Sequence, residues 1–276
     1  MTPDELIDLE IKLLLEGTYQ VYGYDFREYS EASLRRRLLQ WLSGSGFATL
    51  SLAQSSLLRD RELFATLLRG ITVNVSEMFR DPAFFKAIRE LVVPHLKTYP
   101  FVKIWHAGCA SGEEAYSMAI LLEEEGMKGR FRIYATDINE EVIRTAQAGI
   151  YPLQELQRFT RNYQQAAGTG SFADYYTARY DRAILNASLR ENIVFAAHNL
   201  AVDADFGEMN LILCRNVMIY FKQPLKERAL GLFDGSLVPG GFLCLGTKES
   251  LNHRHITDRY EAITPRMQIY RKRYAK

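Results

Sequence analysis

The sequence has few cysteines and no long apolar run. Its 276 residues include three cysteines, Cys109, Cys214 and Cys244, which show neither a CxxC motif nor Cys/His metal-ligand spacing. This usage is typical of a protein in a reducing compartment. No segment approaches the roughly 20 apolar residues that a membrane span needs, and the N-terminus lacks the apolar core of a signal peptide. We therefore predict a cytoplasmic protein without membrane insertion.

The chain also has little net charge, with 34 Lys and Arg against 33 Asp and Glu. Residues 1–80 hold 9 basic and 11 acidic side chains, which leaves 25 and 22 for the rest. Neither part has the basic excess that binding to nucleic acid requires. The 47% of hydrophobic residues is sufficient for a full core, and the length fits one large or two modest domains.

The first 70 residues have the pattern of a small helical domain. Thr2-Pro3-Asp4-Glu5 is a capping-box start for a helix that we expect to end at Gly17. A second helix is expected from Ser30, and a third over residues 60–68. Residues 71–81 combine β-branched and polar side chains, so we predict a linker there.

Past the linker, helices alternate with strands. Asp81-Pro82 is expected to cap a helix that Pro94 bends or ends. The predicted strands are Val102–Trp105, Phe131–Thr136, Ile193–Phe195, Asn210–Leu213, Phe242–Leu245 and Met267–Arg271. Alternating strands and helices indicate a mostly parallel sheet covered by helices. Residues 150–190 break the pattern and are too long for an ordinary loop, so we predict an inserted subdomain.

The stretch from Val102 to Ser117 is the centre of this pattern. A short strand leads into a glycine-bearing turn, and Glu113 and Glu114 then begin a helix. In open α/β sheets this arrangement forms half of a nucleotide-type cofactor site. Helix N-termini attract anions, so two carboxylates placed there argue against a phosphate group. They favour a ligand that is uncharged or cationic, and S-adenosylmethionine, a cation without phosphate, is the first such candidate.

Further polar residues follow the other strands. Asp137 ends the second strand and is suited to accept hydrogen bonds from a ribose diol, although it is also a candidate helix cap. Asn199 and Leu200 are candidates to bracket an adenine ring. Arg215 and Asn216 follow a buried strand. Either they contact the ligand, or Arg215 pairs with a core carboxylate and Asn216 caps a helix. The Asn/Asp-Pro-Pro-aromatic motif of many base-directed methyltransferases is absent here, which disfavours a nucleic-acid substrate.

Other polar residues offer weaker signals. Asn74, Ser76 and Arg80 in the linker either reach the cofactor or form turns. His253 and His255 are only two residues apart in an expected loop, and we predict no metal site.

Six segments together resemble the CheR family, the S-adenosylmethionine-dependent methyltransferases of bacterial chemoreceptors. They occur in order over nearly all of the chain: TVNVSEMFRD at 72–81, WHAGCASGEEAYS at 105–117, ATDIN at 135–139, HNL at 198–200, LILCRNVMIYF at 211–221 and GFLCLGTKES at 241–250.

The resemblance implies a helical N-terminal domain at 1–70, a linker at 71–81 and a methyltransferase domain at 82–276. The implied fold is a Rossmann-like class I methyltransferase with a seven-stranded, mostly parallel sheet and an antiparallel β-subdomain inserted at about 150–190. The cofactor contacts carried over by motif position are Asn74, Ser76, Arg80, Ala107, Glu113, Asp137, Asn199, Leu200, Arg215 and Asn216. Arg80 and Tyr220 are placed near the transferred methyl group and the incoming carboxylate.

The implied reaction transfers a methyl group from S-adenosylmethionine to a glutamate side chain of a chemoreceptor and yields S-adenosylhomocysteine. The expected partner is the receptor's cytoplasmic domain. The run Arg35, Arg36 and Arg37 is either a solvated helix face or the docking surface for this acidic partner. The inserted stretch does not match well the subdomain associated with binding a receptor's C-terminal pentapeptide, so tethering is left open. Two other hypotheses are a methyltransferase for a different substrate class and a non-catalytic, cofactor-binding receptor adaptor.

Overall fold

The computed structural model describes residues 1–205, 207–252 and 256–274. The chain divides into two compact units. The first comprises Met1–Asn74, Asn199–Asp203 and Tyr220–Ala229, and the second comprises Val75–His198, Ala204–Ile219 and Leu230–Lys276. Within the described residues, no helix combines the length and apolarity that crossing a membrane requires. The domain boundaries expected from the sequence stay predictions.

Four helices form most of the first unit: α1 (Pro3–Tyr22), α2 (Glu31–Ser45), α3 (Leu50–Leu57) and α4 (Arg61–Ile71). The capping box of α1 is present, with Thr2 and Glu5 bonded reciprocally. The expected end of α1 at Gly17 is wrong, because the helix continues to a left-handed Gly23. The sequence pattern also missed α3, which buries Leu50, Ala53 and Leu57 on one face.

The second unit begins with an interrupted helix. It is α-helical over α5 (Pro82–Ala87), widens to a π-helical turn over Ile88–Val92 and returns to α-helix over α6 (Val93–Leu96). Pro94 lacks the N–H that would bond a carbonyl one turn earlier, and the wider turn precedes it directly. The proline therefore disturbs the helix but does not end it.

Strands and helices then alternate. The elements are β1 (Val102–Ala107), α7 (Glu113–Glu124), β2 (Phe131–Asp137), α8 (Glu140–Ala148), β3 (Ile150–Pro152), α9 (Leu156–Gln165), β4 (Tyr176–Arg179), β5 (Arg182–Leu185), α10 (Ala187–Glu191), β6 (Ile193–Ala197), β7 (Met209–Cys214), α11 (Gln223–Ser236), β8 (Leu237–Leu245), β9 (Tyr260–Thr264) and β10 (Ile269–Lys272).

A seven-stranded sheet forms the centre of the second unit, in the order β6-β2-β1-β7-β8-β10-β9. The first five strands are parallel, and β10 is antiparallel to both of its neighbours. This order confirms the predicted Rossmann-like fold. It also places the switch in strand order between β1 and β7, whose carboxyl ends flank the crevice where such sheets bind ligands.

A separate antiparallel sheet, in the order β3-β5-β4, lies within the stretch predicted to be inserted. The antiparallel β-subdomain is therefore confirmed. Its helix α9 buries Leu156, Phe159 and Tyr163. The hydroxyls of Tyr163 and Tyr175 both bond Glu124 near the end of α7, which fastens this subdomain to the main core of the unit.

Candidate functional site

The turn after β1 requires glycine for two separate reasons. Gly108 and Gly112 have φ angles of 77° and 92°, where L side chains are strained. A Cβ on Gly108 would lie 2.3 Å from Cγ2 of Val217, and one on Gly112 would lie 2.8 Å from Cβ of Ala146. The turn therefore combines an unusual backbone with close packing on both sides.

Asp137, at the end of β2, faces this turn. Its carboxylate accepts the N–H of Ala110 at 2.9 Å and that of Asn139 at 3.0 Å. Burial raises the pKa of Asp137 above its ordinary value, and backbone hydrogen bonds only partly offset the effect. The helix-cap alternative is wrong, because the N-cap of α8 is Asn139, whose side chain accepts from Glu141.

Glu113, the first residue of α7, is 6% exposed and bonds residues of both the linker and the turn. The Ser111 hydroxyl donates to its carboxylate at 2.8 Å, and Ser76 forms a second hydrogen bond. Burial raises the pKa of Glu113 above its usual range. The structure thus brings Ser76 and Glu113, two of the predicted cofactor contacts, together.

Arg80 lies between two fixed neighbours in the linker. Phe79 and Asp81 both have left-handed backbones, with φ of 53° and 57°. Phe79 is fully buried and its N–H donates to the Ser117 hydroxyl at 2.8 Å. Arg80 itself donates only a long 3.5 Å bond to the carbonyl of Val75, and no carboxylate partner is found in the described part of the chain. Its guanidinium therefore stays available to a ligand.

Arg215, by contrast, is committed within the protein. Its guanidinium pairs with Asp81 at 2.6 Å and with Glu114 at 2.5 Å, and it lies 3.9 Å from the ring centroid of Phe84. Its side chain is 1% exposed. This is the structural pairing left open from the sequence, and it leaves the guanidinium little freedom to bind a cofactor.

The pairing with Arg215 also keeps Glu114 in its ionised form. Burial by itself would raise the pKa of this carboxyl, but the positive charge of Arg215, together with His106, lowers it to about 2. The Nδ1 atom of His106 lies 3.6 Å from the Glu114 carboxylate. Glu113 and Glu114 are adjacent in sequence yet differ in role, because only Glu114 has a cationic partner in the described residues.

Asn216 has a left-handed backbone with φ of 62°. Its N–H donates to Glu249 at 2.9 Å, and so does the N–H of Val217. Asn216 and Ala107 lie at the carboxyl ends of the neighbouring strands β7 and β1, at the edge where the turn begins.

The remaining predicted residues belong to the first unit. The Asn74 amide donates to the Thr72 hydroxyl, and the Asn199 side chain accepts the N–H of Ala201. The carbonyl of Leu200 accepts from Arg228 at 3.2 Å. Tyr220 accepts the N–H of Ser30 through its carbonyl, and the guanidinium of Arg37 lies 5.7 Å from its ring centroid. Their cofactor contacts stay predictions.

Sequence reasoning missed two residues that organise this region. Asp81 was expected to cap α5, but its side chain makes no capping bond and pairs with Arg215. Glu249 had no assigned role, although it lies in the GFLCLGTKES segment. Their partners are 134 and 33 residues away, and no local pattern indicates such pairs.

The carboxylates at the turn fit S-adenosylmethionine. Glu113 is a buried carboxylate and Asp137 a partly buried one, and neither has a Lys or Arg partner within the described ranges. Such a pair repels phosphate and favours a cation or hydroxyl donors. Among the described residues no group of three or more metal-ligating side chains is present. His253 and His255 lie outside the described residues.

Comparison with known proteins identifies the family. Residues 74–267 match the model of the CheR methyltransferase, SAM-binding domain. A Pseudomonas putida protein named as a methyltransferase, Cher3, is 50% identical over 99% of this chain and 100% of its own length. Chemotaxis protein methyltransferase 2 of Pseudomonas aeruginosa is 32% identical over 86% of this chain and 85% of its own. The Listeria monocytogenes chemotaxis protein methyltransferase is 29% identical over 83% and 85%. The chain therefore belongs to the CheR methyltransferase family and contains its S-adenosylmethionine-binding domain.

Proposed function

We propose that this protein transfers a methyl group from S-adenosylmethionine to the side-chain carboxylate of specific glutamates on bacterial chemoreceptors. Family membership and the names of its relatives support the reaction class. The observation that carries the choice of substrate is Arg80, whose backbone is flanked by Phe79 and Asp81 and whose guanidinium has no carboxylate partner among the described residues. A carboxylate substrate supplies that missing partner.

The chemistry requires little of the protein beyond placement. S-adenosylmethionine supplies an electrophilic methyl group on a cationic sulfur. A glutamate side chain has an ordinary pKa of about 4.3, so it is an anion at neutral pH and needs no general base. Arg80 attracts and orients this anion, and Tyr220 lines the transfer position. Orientation of the reacting groups and exclusion of water account for the rate.

Two carboxylates hold different parts of the cofactor. Asp137 accepts hydrogen bonds from the ribose hydroxyls, and Glu113 faces the cationic end. We keep Asn74, Ser76, Ala107, Asn199, Leu200 and Asn216 as further contacts. Arg215 contributes through its backbone, since its guanidinium is already paired with Asp81 and Glu114.

Docking of the receptor through α2 depends mainly on Arg36. Arg35 already pairs with Asp4 and Asp8, and Arg37 lies over the ring of Tyr220. Arg36 is exposed, and no acidic partner is found for it in the described chain. An acidic patch on the cytoplasmic domain of a receptor fits this surface. A cytoplasmic location follows from this partner, and the three free, buried cysteines agree with it.

The proposal is tested by incubating the protein with methyl-labelled S-adenosylmethionine and either chemoreceptor cytoplasmic domains, total RNA or a set of small carboxylates. We expect label only on the receptor, in a form that mild base releases as methanol, because carboxyl methyl esters hydrolyse readily. Base-stable label, or label on RNA or small carboxylates, would indicate another substrate class. Cofactor binding without transfer to any acceptor would indicate an adaptor.

A further inference from the structure

Glu249 is a buried carboxylate that the reaction described above does not use. It lies beyond the end of β8 and is 7% exposed. Its Oε1 accepts the N–H of Val217 at 2.9 Å. Its Oε2 accepts the N–H of Asn216 at 2.9 Å and that of Gly246 at 2.6 Å. Three backbone donors from two loops thus converge on one side chain.

These bonds hold the segment after β7 in a left-handed turn. Asn216 has a φ of 62°, a region that few residues with a side chain adopt, although Asn tolerates it better than most. Gly246 approaches so closely that a Cβ there would lie 2.6 Å from Oε2 of Glu249 and 2.8 Å from the nitrogen of Asn216. The loops after β7 and β8 are therefore joined through this carboxylate.

The joined loops also touch the turn after β1. The side chain of Val217 occupies the space where Gly108 would carry a Cβ, with Cγ2 of Val217 only 2.3 Å from that position. Glu249 holds the N–H of the same valine. Glu249 is therefore linked through Val217 to the backbone of the turn after β1.

We propose that Glu249 is a positioning residue for S-adenosylmethionine: it fixes Asn216 and Val217 against Gly108 and thereby sets the affinity of the turn for the cofactor. This inference rests on the cofactor-binding part of the proposed function and not on the identity of the methyl acceptor.

A carboxylate is required because both of its oxygens accept. The amide of glutamine has one accepting oxygen and an NH2 group that only donates. If the amide oxygen takes the place of Oε2, the NH2 group meets the N–H of Val217. If it takes the place of Oε1, the NH2 group meets the N–H groups of Asn216 and Gly246. Either orientation leaves a buried donor opposed, so Glu249→Gln loosens the loop with almost no change in side-chain volume.

A matched control exists in the same unit. Asp234 is 7% exposed, like Glu249, and its carboxylate likewise has three partners. They are the side chains of Arg259, Tyr260 and Lys272. These partners belong to the segment from the 3₁₀ turn at Thr257–Arg259 to β10 and include none of the proposed cofactor contacts. Asp234→Asn therefore removes a comparable buried carboxylate without touching the loop at 214–217.

The test is calorimetric titration of S-adenosylhomocysteine into the full-length wild type, Glu249→Gln, Asp234→Asn and Val217→Ala, together with their melting temperatures. We expect Glu249→Gln to bind about tenfold more weakly, as loss of a charged hydrogen bond implies, and to show a raised KM for S-adenosylmethionine with a smaller change in kcat. Asp234→Asn should melt at a lower temperature but keep the wild-type affinity. Val217→Ala should weaken binding, and it tests the same path should Glu249→Gln not fold.

Wild-type affinity in Glu249→Gln, or in Val217→Ala if only that variant folds, would overturn the inference, as would an equal loss of affinity in Asp234→Asn. A wild type that binds S-adenosylhomocysteine but methylates no receptor would instead overturn the proposed substrate and leave the role of Glu249 intact.

Discussion

The guanidinium of Arg215 lies 2.6 Å from the carboxylate of Asp81, which precedes it by 134 residues in the chain. This pair joins the residue after Arg80 to the end of the central strand β7. Because Phe79 is anchored to Ser117 on the other side, the backbone of Arg80 is held both before and after this residue. An arginine that the sequence suggested as a ligand contact thus fixes the position of another arginine.

The two halves of this pair should differ in their effect on stability. The Asp81 side chain is 44% exposed, whereas that of Arg215 is 1% exposed and also neutralises Glu114, whose side chain is 15% exposed. We expect Arg215→Gln to lower the free energy of unfolding by about 3–5 kcal/mol, because it leaves a largely buried carboxylate uncompensated. Asp81→Asn should lower it by about 1 kcal/mol or less.

Urea unfolding in a Trp41→Phe background measures these changes, since Trp105 then reports on the second unit alone. Asp181→Asn, which removes an exposed pair with Arg182, is the control and should change the free energy by less than about 1 kcal/mol. Equal effects of Arg215→Gln and Asp81→Asn would contradict the assignment.

Glu114 should make stability depend on acid pH. Its pKa is lowered to about 2 in the folded protein, against an ordinary value near 4.5. The stabilisation is therefore fully present above about pH 4.5 and is lost as the pH falls toward 2. We expect Glu114→Gln to be less stable than wild type at pH 7, and the difference to shrink between pH 5 and pH 3, roughly. A difference that stays constant over this range would refute the role of its charge.

The charge of Glu113 should affect stability in the opposite direction from that of Glu114. Burial raises its pKa, so stability is lost as the pH rises from the unfolded pKa near 4.5 through the folded pKa, and the ionised form destabilises the fold fully above it. We expect Glu113→Gln to melt at a higher temperature than wild type at pH 7.5 and yet to bind S-adenosylmethionine more weakly, because a negative charge facing the cation is lost. Melting curves with and without cofactor separate the two effects. A variant that gains neither stability nor a weaker cofactor affinity would contradict this interpretation.

Arg80 should act mainly on the transfer step. We expect Arg80→Ala to reduce kcat for receptor methylation by about 10²–10³-fold, as loss of one charge-stabilising donor does in other enzymes. Arg80→Lys should recover part of the rate. Arg144→Ala, at an exposed position of α8, is the control for a lost surface charge. Full methyl transfer and unchanged cofactor affinity in Arg80→Ala would remove this residue from the site.

Arg36 should act on receptor docking. Reversal of its charge in Arg36→Glu is expected to raise the KM for the receptor, most strongly at low ionic strength, because exposed charges are screened by salt. Cofactor affinity should not change. A KM for the receptor that is equal in Arg36→Glu and wild type at every salt concentration would rule out docking through this face of α2.

Local sequence signals predicted the parts of the site that local chemistry determines. The strand, the glycine turn and Glu113 are contiguous, and Asp137 ends a strand that periodicity identifies, so all of these could be placed from the sequence. The partners of Arg215 and Glu249 come from distant segments, and only the folded sheet brings them together. The short strands β3, β4 and β5 carry too few residues for a clear alternation, which is why the family resemblance, and not periodicity, predicted an antiparallel sheet in the inserted stretch.

The central claim is that this protein esterifies receptor glutamates. Its most direct test is mass-spectrometric mapping of chemoreceptors that are co-expressed with either the wild type or Arg80→Ala. We expect methyl esters on particular glutamates of the cytoplasmic domain with the wild type, and strongly reduced occupancy of the same glutamates with the variant. Receptors that carry no glutamate methyl ester in the presence of the wild type would contradict it.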